Sequence, residues 1–79
     1  MRFLVFINEG GQKDPSAFNA NMIFRIQQGE GKSQITFYDK STRLVSESKE
    51  QIIELLTSDK TEIELNTVTI KNEIEFDSI

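Results

Sequence analysis

Residues 21–46 read NMIFRIQQGEGKSQITFYDKSTRLVS, and this stretch decides the fold. Met22, Phe24 and Ile26 alternate with Ile23 and Arg25, and after Gly29-Glu30-Gly31-Lys32 the residues Ile35 and Phe37 alternate with Gln34, Thr36 and Tyr38. A period of two with glycines between the runs is the mark of a β-hairpin. A four-residue loop at 29–32 sets Gln28 opposite Ser33, hence Ile26 opposite Ile35 and Phe24 opposite Phe37. Asp39-Lys40-Ser41-Thr42 supplies the next polar turn and Arg43-Leu44-Val45-Ser46 the next strand, which sets Phe37 opposite Leu44 and Tyr38 opposite Arg43. The predicted meander, 21–46, has an inner row of Phe24, Phe37 and Leu44. Its outer rows are Ile23/Tyr38/Arg43 and Arg25/Thr36/Val45.

Upstream, residues 2–7 read Arg-Phe-Leu-Val-Phe-Ile, apolar on both alternating faces, and predict a strand buried on both sides at the centre of a sheet. Asn8 to Ala20 gathers Gly10-Gly11 and Asp14-Pro15-Ser16, so 8–20 reads as a loop with Phe18 as its core anchor. Loops of this length often carry binding function.

Downstream, Ser48 and Gln51 stand three apart in a capping-box pattern, with Glu50 in the first turn. Ile52, Leu55 and Leu56, with Ile53 beside them, form an i, i+3, i+4 stripe, so a helix over 49–57 packs on the sheet. Alternation resumes over 61–76 in Glu62-Ile63-Glu64-Leu65, Val68-Thr69-Ile70 and Glu73-Ile74-Glu75-Phe76. Apolar parity switches across Asn66-Thr67, which predicts a two-residue hairpin turn between two further strands. The fold class expected is α+β: one largely antiparallel sheet of five to six strands with one short helix packed on it.

The chain has 79 residues, enough for one small domain spanning 1–79. A chain of this size hides only about 60% of the surface its unfolded form exposes, so stabilisation by a second copy is physically reasonable. There is no His, Cys or Trp. Disulfides, thiolate metal sites, cysteine nucleophiles and imidazole acid–base chemistry are thereby removed. No cofactor or metal site is expected, and no nucleophile–base arrangement is recognisable among the remaining Asp, Glu, Lys, Ser and Tyr, so the expectation is a protein that is not an enzyme. A secreted domain this small would more often carry disulfides, which favours the cytoplasm. The longest apolar run, Phe3 to Ile7, is far shorter than the ~20 residues a membrane helix needs, and no membrane association is expected.

Net charge is −4, distributed as +2 over residues 1–46 and −6 over 47–79. Two local strings invite chemistry. Gly29-Glu30-Gly31-Lys32-Ser33 ends like a phosphate loop but lacks the earlier glycine and the following helix, so it reads as a hairpin turn. The Glu62/Glu64 and Glu73/Glu75 pairs share a strand face without resembling a calcium loop, and read as solvated.

The features of Asn19 to Leu56 resemble, in order, a family of short bacterial proteins related to the flagellar and swarming proteins FlbD and SwrD. The matching text is Asn19, Ile23 and Ile26, Ile35-Thr36-Phe37, Asp39 to Val45, and Glu47-Ser48-Lys49-Glu50-Gln51-Ile52-Ile53. The chain differs in carrying Asp39-Lys40 where an Asn-Gly turn is usual, in the longer 8–20 segment and in the β region after residue 58. The resemblance implies a small bacterial or phage-borne accessory protein without catalytic residues.

The candidate interaction face is the outer side of the meander: Arg25, Tyr38 and Arg43, beside Ile23 and Val45. Tyr and Arg are favoured anchors of protein interfaces, so the partner expected is a protein, including a homodimer. The same chemistry stacks and neutralises single-stranded nucleic acid, which is the alternative. A further alternative is an acidic phosphate mimic built from the carboxylates of 47–79.

Overall fold

The computed structural model describes residues 2–69. Along the chain run β1 (Phe3–Ile7), β2 (Lys13–Asn19), a 3-10 turn (Ala20–Met22), β3 (Ile23–Gln28), β4 (Ser33–Phe37), β5 (Thr42–Val45), α1 (Lys49–Leu56) and β6 (Glu62–Asn66). The protein is α+β, but its strands form two three-stranded sheets, ordered β2-β1-β6 and β3-β4-β5, in place of the single sheet expected. One pairing, β1 with β6, is parallel.

The second sheet is the predicted meander, and its first hairpin keeps the predicted register: Gln28 faces Ser33, Ile26 faces Ile35 and Arg25 faces Thr36. Beyond Arg25 the ladder slips, so that Ile23 and not Phe24 faces Phe37. Phe24 is the extra residue of a β-bulge, a device that re-aims one side chain. The second hairpin departs from expectation throughout. Ser33 faces Val45, Ile35 faces Arg43 and Thr36 faces Thr42, three residues away from the predicted pairing. An odd shift turns every side chain of β5 to the opposite face.

The turn explains the shift. Phe37 N donates to Ser41 O at 2.9 Å, Lys40 N donates to Phe37 O at 2.9 Å, and Lys40 has φ of 75°. This is a three-residue loop, Tyr38-Asp39-Lys40, of the type that needs its last residue in the left-handed region. Asp39 holds it by accepting from Ser41 N at 2.9 Å and Ser41 Oγ at 2.6 Å.

In the first sheet β1 is central, as its composition predicted. Leu4 and Phe6 are fully buried, and Phe3, Val5 and Ile7 are half-buried on the other face. The 8–20 segment is not a loop: a turn in which Asn8 N donates to Gln12 O at 2.8 Å leads directly into β2, antiparallel to β1. Asp14-Pro15-Ser16 concealed the strand, yet they stand opposite Phe6 in a register break on the sheet's edge, where a proline costs no ladder hydrogen bond. Phe18 does anchor this segment, stacking on Phe37 with centroids 4.7 Å apart.

The predicted reversal at Asn66-Thr67 is also absent. The chain continues past β6 and joins the two sheets, with Thr67 N donating to Ile7 O, Ser46 N to Asn66 O and Val68 N to Leu44 O. An isolated bridge pairs Val45 with Thr67. The strand expected over the last part of 61–76 lies outside the described residues.

One core serves both sheets and the helix: Leu4, Phe6, Ile35, Phe37, Val45, Ile52, Ile63 and Leu65. The helix follows its sequence signals. Ser48 Oγ accepts from Gln51 N at 3.1 Å, and Gln51 Oε1 accepts from Ser48 N at 2.8 Å, completing the capping box. Its C-terminus carries no basic residue of its own; Arg2, ahead of β1, takes that role. The Arg2 guanidinium donates to Leu55 O at 2.8 Å and to Leu56 O at the helix end, and to Lys60 O at 3.0 Å beyond it, setting a cation at the negative end of the helix dipole.

Candidate interaction face

The five residues expected on one face are divided between two. Arg25 and Tyr38 lie on the outer side of the β3-β4-β5 sheet and are exposed, Tyr38 to 64%. Val45 is fully buried in the core and Ile23 packs against it. Arg43 points inward beside Ile35, its guanidinium 4.9 Å from the Phe18 ring centroid and 5.7 Å from that of Phe6. There it covers the edge of the core with its stem and gains a cation–π attraction. The Arg25–Tyr38–Arg43 cluster is therefore not assembled, and the stacking platform on which the nucleic-acid reading rested is missing one of its cations.

The bulge substitutes an aromatic partner for Tyr38. Phe24, 60% exposed, meets the Tyr38 ring edge-on with centroids 5.4 Å apart, and Tyr38 N donates to Met22 O at 2.9 Å. Met22 is itself 39% exposed. Phe24 and Tyr38, with Thr36, Phe37 and Lys40, line a shallow cleft of about 280 Å³. Its walls are apolar, and the left-handed backbone at Lys40 sets that residue at the turn beside it.

Phe24 escaped the sequence reading because strict alternation assigns it inward, opposite Phe37. The signal available was the unbroken apolar run Met22-Ile23-Phe24: an edge of a sheet with one wet face has no buried place for all three, and only Ile23 packs inward.

Asp39 titrates below the ordinary carboxylate value because the Ser41 hydroxyl and the Ser41 backbone N–H both donate to it, with a lesser pull from the Arg43 charge. This carboxylate is a turn brace. The glycine-rich string at 29–33 is likewise a turn, with Gly29 N donating to Lys32 O at 2.7 Å and Gly31 at φ of 70°. Ser33, which would have contacted a phosphate, begins β4 with its Oγ buried and without a hydrogen-bond partner.

Among the described residues no cluster of three or more acidic side chains is placed to hold a metal ion. Glu64 pairs with Lys13 at 3.7 Å, and Glu47 accepts from Asn66 N at 3.0 Å and Asn66 Nδ2 at 2.8 Å. Two of the carboxylates of the acidic half thus serve local structure. No described helix is long and apolar enough to cross a membrane.

Set against protein-family models, curated proteins and solved structures, the chain matches none of them.

Proposed function

We propose that this chain is a non-enzymatic accessory protein that acts by binding another protein or its own copy through the outer face around Phe24 and Tyr38. The exposed edge-on pair of these rings carries the reading. Two large aromatic side chains more than half exposed, with Met22 beside them and an apolar cleft between, are costly to leave in water and are the residue types that anchor protein interfaces. Lys40 adds a basic side chain to the cleft on an otherwise acidic chain, and Arg25 is exposed next to Phe24 along β3. The resemblance of residues 19–56 to the FlbD- and SwrD-related proteins supports the same class of role, a small bacterial or phage-borne accessory protein, and the lack of cysteine supports a cytoplasmic one.

Site-specific photo-crosslinking tests this. A photoreactive phenylalanine analogue replacing Tyr38 should give discrete protein adducts in cells, whereas the same group replacing Glu50 on the exposed helix face should not. Equal, diffuse labelling from both positions refutes the reading.

A further inference from the structure

We infer that the partner at this face is a second copy of the chain, added antiparallel through the free edge of β3. The inference deepens the interface reading above and names its occupant.

The ladder geometry shows the edge. Gly29 N donates to Lys32 O and Tyr38 N to Met22 O, so the even-numbered residues of β4 direct their backbone groups toward β3. Residue by residue this puts Arg25 and Gln27 in the ladder, opposite Thr36 and Gln34, and turns the N–H and C=O groups of Ile26 and Gln28 away from it. Beyond them, among the described residues, no strand follows, since β3 ends the order β3-β4-β5. The helix meets β3 at its last residue, where the Gln28 side chain accepts from Lys49 N at 2.7 Å.

The other strand edges carry protection that β3 lacks. β2 contains Pro15, a register break and Lys13. β6 carries Glu62 and Glu64, which repel a second copy of themselves. β5 is already paired at Leu44 and Ser46 by Val68 and Asn66. Charges, prolines and bulges are the usual guards of a sheet edge. β3 carries a bulge at its start only and a single charge, Arg25.

That charge selects the register. Backbone pairing along this edge joins even residues to even residues, so a two-fold arrangement centres on Ile26 against Ile26, or on Arg25 or Gln27 against its own copy. Centring on Arg25 opposes two guanidiniums. Centring on Ile26 keeps a longer overlap of β3 than centring on Gln27, pairs the outward backbone groups of Ile26 with their own copies, and sets each Arg25 across from an uncharged Gln27 of the other copy. It also brings each Phe24, turned outward by its bulge, against the outer surface of the other β3.

The test is the dimer dissociation constant from sedimentation equilibrium, up to about 1 mM protein. The wild type should dimerise. Gln27→Glu, which sets a carboxylate across from each Arg25 of the other copy, should tighten the dimer by about 2- to 30-fold, and Gln27→Arg should weaken it by a similar factor. Circular dichroism checks that both variants fold. In parallel, the Ile26 amide should exchange more slowly as concentration rises. A chain monomeric at every concentration overturns the inference, as does a dimer whose affinity ignores the charge at position 27. The photo-crosslinking result separates the two readings: adducts at position 38 to other proteins from a strictly monomeric chain retain the interface and reject the self-pairing, and no discrete adduct rejects the interface itself.

Discussion

The two hairpins of the second sheet share their central strand and differ in the kind of residue their turns hold in the left-handed region. The β3–β4 turn places glycine at its left-handed position, Gly31, and the register read from the sequence holds from there to Arg25. The β4–β5 turn places Lys40 in the same backbone region, and the register read from the sequence fails by three residues. Where glycine marks the turn, local sequence announces the loop length. Where an ordinary residue is forced into the left-handed region, at a cost of about 1–2 kcal/mol, the reward lies in what the strand then buries. Here that reward is Val45 in the core and Arg43 over Phe18.

This contrast is open to direct attack, beginning with the face of β5. Val45→Asp buries an unpaired carboxylate and should cost about 3–5 kcal/mol, enough to unfold a small domain, while Leu44→Asp on the opposite, half-exposed face should cost far less. Urea denaturation of the pair decides between the observed register and its three-residue alternative, which predicts the reverse order.

Replacing Gly31 by Val puts a β-branched residue at φ of 70° and should destabilise by about 1–2 kcal/mol. No heavy atom lies within 4 Å of an added Cβ, so the loss comes from the backbone alone. The converse change, Lys40→Gly, relieves strain and gives back part of the gain as unfolded-state entropy. It should raise stability by about 0.5–1 kcal/mol, measurable as a rise in Tm.

The smallest effect belongs to the brace of the second turn. Ser41→Ala removes the strongest donor to Asp39, so the Asp39 midpoint in an NMR titration should move up toward the ordinary carboxylate value. Because the folded-state pKa is depressed, the contribution of this carboxylate is present above the unfolded pKa and fades as pH falls through the folded one. In the Ser41→Ala protein that acid sensitivity should shrink. An unchanged midpoint would mean that the hydroxyl is not the cause.

Much of the fold is legible from the residues alone. The central β1, the 28–33 turn, the strand content of the meander and the Ser48–Gln51 capping box all follow from signals carried within a few residues. β2 is not legible, because Lys13–Asn19 has no apolar alternation and owes its strand conformation to hydrogen bonds with β1. Nor is the run from Asn66 to Val68, whose change of parity marks passage from one sheet to the other and reads locally like a turn. Of the five residues read onto one face, Arg25 and Tyr38 are the two exposed on the outer side of the meander. The sequence reading misses Phe24, because a bulge leaves no period of its own.

What the sequence by itself determined was β1, the three strands of the meander, the helix with its Ser48 cap, β6 and the chemistry withheld by the absence of His and Cys, since each depends on residue type and near neighbours. Tertiary structure alone decided the division into two sheets, the parallel joining of β1 to β6, and which of Phe24, Arg43 and Val45 meets water. Those outcomes rest on register, and register is settled by competition between turn strain and burial across strands far apart in the chain.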